Sequence, residues 1–155
     1  MQEPLKQCIN SDLIFAAQIQ VNSHVVKKNS RPILHNRRTR KPFIGKSSIL
    51  SASEAVLTAE LRSIANKLKL YSPFTGDVHA MFIFQFNDYY TKDGVRRRNL
   101  PDLSNLIELP QDCLQRAGII DNDTQIVSLD GSRRVPGVTN QLIIVLKRTK
   151  DDGQT

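Results

Sequence analysis

An α+β fold, in which one mixed β-sheet packs against two main helices, is what the sequence predicts, and three observations predict it. The stretch VHAMFIFQF, residues 78 to 86, puts Phe82, Phe84 and Phe86 on one face, the side-chain period of a half-buried strand. Leu57, Leu61, Ile64 and Leu68 recur at i, i+4, i+7 and i+11, the spacing of one helical stripe. Leu103, Leu106, Pro110, Cys113, Leu114 and Ala117 describe a second stripe of the same kind.

The remaining elements follow in chain order. LIFAAQIQV, residues 13 to 21, is an apolar run that ends in alternation and reads as a strand. KKNSRPILHNRRTRKPFIGKS is expected to be a long loop, and loops of that length in compact domains are usually functional or disordered. Ser51 and Glu54 have capping-box spacing, so the first helix is expected to start there and run to about Leu70, where YSPFTG ends it. NDYYTKDGVRRRN reads as a polar, exposed connection. The second helix is expected over Leu103 to Ala117, with Gly118 as its stop signal. Pro110 removes one hydrogen bond there and crowds the Leu106 carbonyl, so either the helix kinks or a new one starts near Leu109. The unbroken phase of the apolar stripe favours the kink. TQIVSL and NQLIIVLK read as two last strands joined through DGSRR, with Asp130-Gly131 as a turn signal. TKDDGQT is expected to fray.

A chain of 155 residues with 39% hydrophobic content fits a single domain, its core running from about residue 13 to residue 148. The net charge of +7 points to an acidic partner, most economically nucleic acid. Its distribution says more than its size. From Leu13 to Ser53 there is no Asp or Glu, while Lys27, Lys28, Arg31, Arg37, Arg38, Arg40, Lys41 and Lys46 all fall in that interval. A solvated basic loop is the plainer reading of the same residues. Cys8 and Cys113 form no CxxC pair and no zinc-like spacing, which fits a reducing cytosol. The first residues lack a secretory pattern and no apolar run approaches a membrane span, so a soluble, cytoplasmic protein is expected.

The acids carry the chemistry. Asp102 precedes the second helix and Asp123 follows the turn after it, and a hairpin-like return is expected to bring them together at one sheet edge. Ser104, Glu108 and Asp112 are spaced i, i+4, i+8 and form one polar stripe, with Asn105 beside it. Converging carboxylates repel unless a cation lies between them, and Mg²⁺ is the hard, oxygen-preferring ion that suits such a site. The same residues also read as a helix cap at Asp102, a wet face at Glu108 and Asp112, and a polar turn at Asp121 to Asp123. Arg96, Arg97 and Arg98 directly precede the acids, where they could hold a phosphate. Arg133 and Arg134 could extend that surface or be ordinary exposed charges.

PDLSNLIELPQDCLQRAGIIDNDTQIV resembles the signature of the RusA family of Holliday-junction resolvases. Its members typically show an Asp-Leu-Asp-Asn-Leu helix start, a helix ending Asp-Ala-Leu, a short turn and an Asp-Asp-x-Gln-Val strand start. Asp102, Leu103, Asn105, Leu106, Asp112, Leu114, Gly118, Asp123 and Gln125 match with the intervals preserved, and the resemblance spans about residues 13 to 148. It implies a homodimeric, Mg²⁺-dependent endodeoxyribonuclease (Mn²⁺ a possible substitute) that resolves four-way junction DNA by paired symmetric nicks in recombination and repair. Bacteria, phages and prophages are the hosts it suggests.

Carried over by position, Asp102 and Asp123 match two of the family's three catalytic aspartates. The third falls on Ser104 and the family's lysine falls on Glu108, two departures. Glu108 lies one turn beyond Ser104 and is the candidate to restore the missing charge, so Asp102, Asp123 and Glu108 are the expected catalytic groups. Asp112 joins them as an expected metal ligand or outer carboxylate. The two departures keep a second reading open, a relative that binds branched DNA and cuts it weakly or not at all. A general nucleic-acid-binding module is a third, disfavoured by the lack of a stacking strip beyond Tyr89 and Tyr90.

Overall fold

The structure, a computed structural model, describes residues 12–21, 33–44 and 48–149. Its centre is β4 (Val78–Phe86), the Phe-rich strand, which keeps the predicted bounds. Every second residue of β4 from Val78 to Phe86 is buried, so alternation alone decides which face enters the core. β7 (Gln141–Arg148) pairs antiparallel along nearly all of β4, and β1 (Leu13–Gln20) pairs antiparallel with β7 at the sheet edge. On the other side of β4 two short strands run parallel to it. β5 (Ile126–Ser128) lies beside Val78 and His79, and β6 (Arg133–Pro136) lies beside Ile83 to Phe86. The sheet is therefore mixed, as predicted.

Both helices cover one face of this sheet. α1 (Ser48–Lys67) buries Leu50, Leu57, Leu61 and Ala65, and α2 (Leu103–Arg116) buries Leu106, Leu109, Cys113 and Leu114 against Phe82, Phe84, Leu142 and Ile144. α2 is one continuous helix through Pro110. It stops because Gly118, at φ +74, turns left-handed where a Cβ would be strained. Gly118 N–H then donates to the Gln115 carbonyl at 3.0 Å and Ile119 N–H to the Leu114 carbonyl at 3.0 Å, a Schellman closure. α1 closes the same way around Lys69, at φ +60, with Leu70 N–H donating to the Ala65 carbonyl at 2.9 Å. Leu68, expected on the apolar stripe, falls in that closure and is 51% exposed.

Several expectations are corrected. α1 starts at Ser48, so Ser51 and Glu54 form no capping box. Glu54 faces inward instead, almost fully buried, and its Oε2 accepts from Arg116 Nη1 at 2.9 Å. The basic loop contains a hairpin of β2 (Ile33–His35) and β3 (Pro42–Ile44). TQIVSL is not one strand: Asp123–Gln125 form a one-turn 3-10 helix before the short β5. β5 and β7 do not form a hairpin, because β7 lies on the far side of β4 and the unforeseen β6 intervenes in sequence. Short strands of polar composition give too few alternating positions to be read beforehand. His79 is half-buried and its Nδ1 lies 2.9 Å from Ser128 Oγ. Among the described residues no helix is long and apolar enough to cross a membrane.

Glu54 joins α1 to the last turn of α2. Arg62 Nη2 adds a bond to the Arg116 carbonyl at 2.9 Å, and Cys113 Sγ donates to the Glu54 carbonyl at 3.7 Å. Removing the cation from such a pair leaves a charge in the interior. Arg116→Met is expected to cost about 2 kcal/mol in urea unfolding, below the cost for a fully buried pair because the arginine is half-exposed. Arg116→Met combined with Glu54→Met is expected to recover most of that loss.

Burial pushes the Cys113 thiol above its usual range, and the Glu54 and Asp112 charges push the same way. The folded chain thus holds the thiol proton more tightly than the unfolded chain. That contribution to stability is present below the ordinary thiol range and is lost as pH rises through the raised value. Cys113 is expected to resist iodoacetamide in the native protein at about pH 8 and to react once urea is added, as read by peptide mass spectrometry.

Candidate active site and nucleic-acid interface

The acids are placed by the two ends of α2. At its start, Asp102 sits at the N-cap with extended backbone (φ −64, ψ 141), yet its side chain makes no capping hydrogen bond. The carboxylate is exposed and uncommitted. The residue before it is fixed: Pro101 is buried, and its carbonyl accepts from Arg134 Nη1 at 2.7 Å. Arg134 pairs with Phe84, so this bond ties the start of α2 to the last third of β4. Its structural role has no local signal, since nothing in DGSRR tells which arginine turns inward.

Ser104, Glu108 and Asp112 lie on the polar face of α2, opposite Leu106, Leu109, Pro110 and Cys113, as the spacing predicts. Ser104 is exposed, while Glu108 and Asp112 are partly covered.

Beyond the Schellman closure, Ile119 and Ile120 are buried and Phe74 N–H donates to the Ile119 carbonyl at 2.9 Å. Asp121, Asn122 and Asp123 then form an exposed turn. Asn122 caps the 3-10 helix, its Oδ1 accepting from Thr124 N–H at 2.9 Å, and Gln125 reaches back to the Asn122 N–H. The sequence signal for this capping box is Asn-x-x-Gln, which the reading of a polar turn and strand misses. Asp123 is the first residue of that short helix, and Ile126, just beyond the helix, pairs with Val78 at the beginning of β4.

Asp102 and Asp123 therefore stand at opposite ends of α2, and the hairpin-like convergence expected from the sequence does not occur within one chain. The 14 residues of α2 span about 21 Å, and the six-residue step from Val78 to Phe84 along β4 is about 20 Å. Among the described residues no three His, Cys, Asp or Glu side chains gather as a group able to hold a metal ion. The exposed carboxylates have the hard oxygen donors that Mg²⁺ takes, but a single chain does not assemble them around one ion.

Basic groups are presented on two built supports. Residues 89 to 97 form a small finger: Thr91 N–H donates to the Val95 carbonyl at 2.7 Å, Arg97 N–H to the Tyr89 carbonyl at 3.0 Å, and Tyr90 bridges Arg96. Arg96, Arg97 and Arg98 are exposed and, with Thr91, Val95 and Asn99, line an open pocket of about 400 Å³. From there the chain passes through buried Leu100 and Pro101 straight to Asp102.

The second support is the β2–β3 hairpin. Asn36 Oδ1 accepts from Arg38 N–H at 2.9 Å and Thr39 N–H at 3.1 Å, and Arg40 takes a left-handed φ of +53. Arg37, Arg38, Arg40 and Lys41 are all exposed at this tip. Lys27, Lys28, Arg31 and Lys46 lie outside the described residues.

Comparison with known proteins adds one finding to this geometry. No curated protein matches the chain. The family model described as Endodeoxyribonuclease RusA matches residues 27–147, most of the chain and every element from the basic hairpin to β7, so the chain belongs to the RusA endodeoxyribonuclease family.

Proposed function

We infer that the protein is a Mg²⁺-dependent, structure-specific endonuclease of the cytoplasm that resolves four-way DNA junctions by paired symmetric nicks, acting as a homodimer in recombination and repair. The observation that carries this reading is the exposed, uncommitted carboxylate of Asp102, placed four residues after the exposed Arg98 in a RusA-family chain. Arg96, Arg97 and Arg98 attract and seat the phosphate backbone, and the 36–41 hairpin tip adds a second anchor on another arm of the junction. Asp102 and Asp123 are the carboxylates that face the strand to be cut. Glu108, partly covered one turn beyond Ser104, supplies negative charge where the family has a third aspartate, and Asp112 supports it from the next turn. When bound, Mg²⁺ polarises the phosphodiester and lowers the pKa of its water.

The separation of Asp102 from Asp123 supports the second copy. A two-fold axis can set the Asp102 end of one subunit beside the Asp123 end of the other, and reciprocity then yields two equivalent sites. Two sites related by such an axis match the two strands that a resolvase must nick.

A labelled four-way junction incubated with and without Mg²⁺ tests this reading. Paired nicks are expected with Mg²⁺ and none without it. Asp102→Asn and Asp123→Asn are each expected to slow nicking more than about 100-fold while junction affinity changes little. Glu108→Gln is expected to slow it by roughly 10-fold. Junction binding with no nicks would instead favour a non-cutting branched-DNA binder.

Arg96→Ala, Arg97→Ala and Arg98→Ala are each expected to lower the slope of log affinity against log salt by about one for every phosphate left without its arginine. Fluorescence anisotropy across a salt series reads that slope. An unchanged slope in all three would move the interface away from the finger.

A further inference from the structure

One side chain holds the turn that presents Asp123. Gln125 Oε1 accepts from the backbone N–H groups of Asp121 and Asn122, each at 2.8 Å. Its Nε2 donates to the carbonyls of Phe74 at 2.9 Å and Gly76 at 2.8 Å. A primary amide has two acceptor lone pairs and two donor hydrogens, and here all four are used. The donors fasten Gln125 to the segment leading into β4, and the acceptors gather the two amides directly before Asp123. The Asp123 carboxylate takes part in none of these four bonds and is left exposed.

We propose that Gln125 is a positioning residue for Asp123, fixing the direction of its carboxylate through the backbone of residues 121 to 123. This rests on the reading of Asp123 as a group that acts on DNA. The chemistry is specific to an amide. A glutamate of the same shape keeps both acceptors for Asp121 and Asn122, but sets an oxygen against the two carbonyls that the Gln125 donors now satisfy. A methionine keeps the bulk and loses all four bonds. Misplacing a reacting group by about 1 Å costs on the order of 100-fold in rate without weakening binding made elsewhere.

The test uses the full chain and its Gln125→Glu, Gln125→Met and Asn122→Ala variants. Three quantities are read: amide hydrogen exchange at Asp121 and Asn122 by NMR, junction affinity in EDTA, and single-turnover nicking with Mg²⁺. For both Gln125 variants, protection of the two amides is expected to fall and nicking to slow at least about 10-fold, with junction affinity within about twofold of wild type. Asn122→Ala, which loses only the bond from Thr124 N–H and keeps all four Gln125 bonds, is expected to slow nicking no more than about threefold. If the Gln125 variants do not fold, unprotected Asp121 and Asn122 amides in the wild-type chain overturn the proposal and protected ones uphold the hold on the turn.

Normal nicking despite lost amide protection overturns the proposal, as does retained protection in Gln125→Met. So does a loss of junction affinity equal to the loss of rate, which a merely structural tie would produce. A wild-type chain that nicks nothing overturns the endonuclease reading instead. The exchange rates then decide alone, lost protection upholding the hold on the turn and retained protection refuting it.

Discussion

Helix α2 rests with Leu106, Leu109, Cys113 and Leu114 on the phenylalanine face of β4, and both of its ends are fastened independently. At the first end the Arg134 guanidinium holds the Pro101 carbonyl, and at the second the Schellman closure and the Arg116–Glu54 pair hold the last turn. The acids inherit their positions from this arrangement. A helix docked by apolar contacts alone can slide or rotate at small cost. Directional bonds at both termini remove that freedom, because each has one geometry and leaves a polar group unpaired if broken. The distance between Asp102 and Asp123 is thereby a property of the core, not of the flexible surface.

Charge is arranged around the same helix with a consistent logic. The chain carries +7 overall, and its described basic clusters sit on exposed hairpin turns whose backbones are closed by their own hydrogen bonds. Arg37, Arg38, Arg40 and Lys41 need no interior contact to be held out toward solvent. Glu54 is the opposite case. It is buried and serves packing between the two helices, so it takes no part in the negative surface that the exposed acids create. Among the described residues, sorting the acids by burial thus separates Glu54, which holds the fold, from exposed carboxylates such as Asp102 and Asp123.

Much of this is legible in the sequence, for reasons that differ by element. β4 and α2 are predicted almost to the residue, because each has enough repeats of its own period to outweigh local ambiguity. The family signature is read from residues along α2 and the turn after it, where buried Leu106 and Leu114 and the four-bonded Gln125 stand among exposed Asp102 and Asp123. Apart from the Asn-x-x-Gln capping box, what escapes has no local signal. Ser51 and Glu54 show capping-box spacing, but whether a carboxylate reaches back to an amide or inward to Arg116 depends on a helix 62 residues away in sequence. β6 is four residues long with two arginines, and only its place beside Ile83 to Phe86 makes it a strand. The convergence of Asp102 and Asp123 is inferred from closeness in sequence, and the parallel pairing of β5 with the start of β4 is what separates them.

Three local choices cost stability on the elements that carry exposed charges. A capping hydrogen bond at a helix start contributes about 1 kcal/mol, and Asp102 has the backbone geometry for one yet leaves its carboxylate free. Pro110 sits inside α2, where it withholds a hydrogen bond from the Leu106 carbonyl. Arg40 holds a left-handed backbone that an asparagine or glycine would take more cheaply. The same chain satisfies Gln125 completely and closes both helices with full Schellman bonding, so its departures are not general looseness. The departures at Asp102 and Arg40 each leave a charge exposed, and they are best understood as stability given up to keep those charges available.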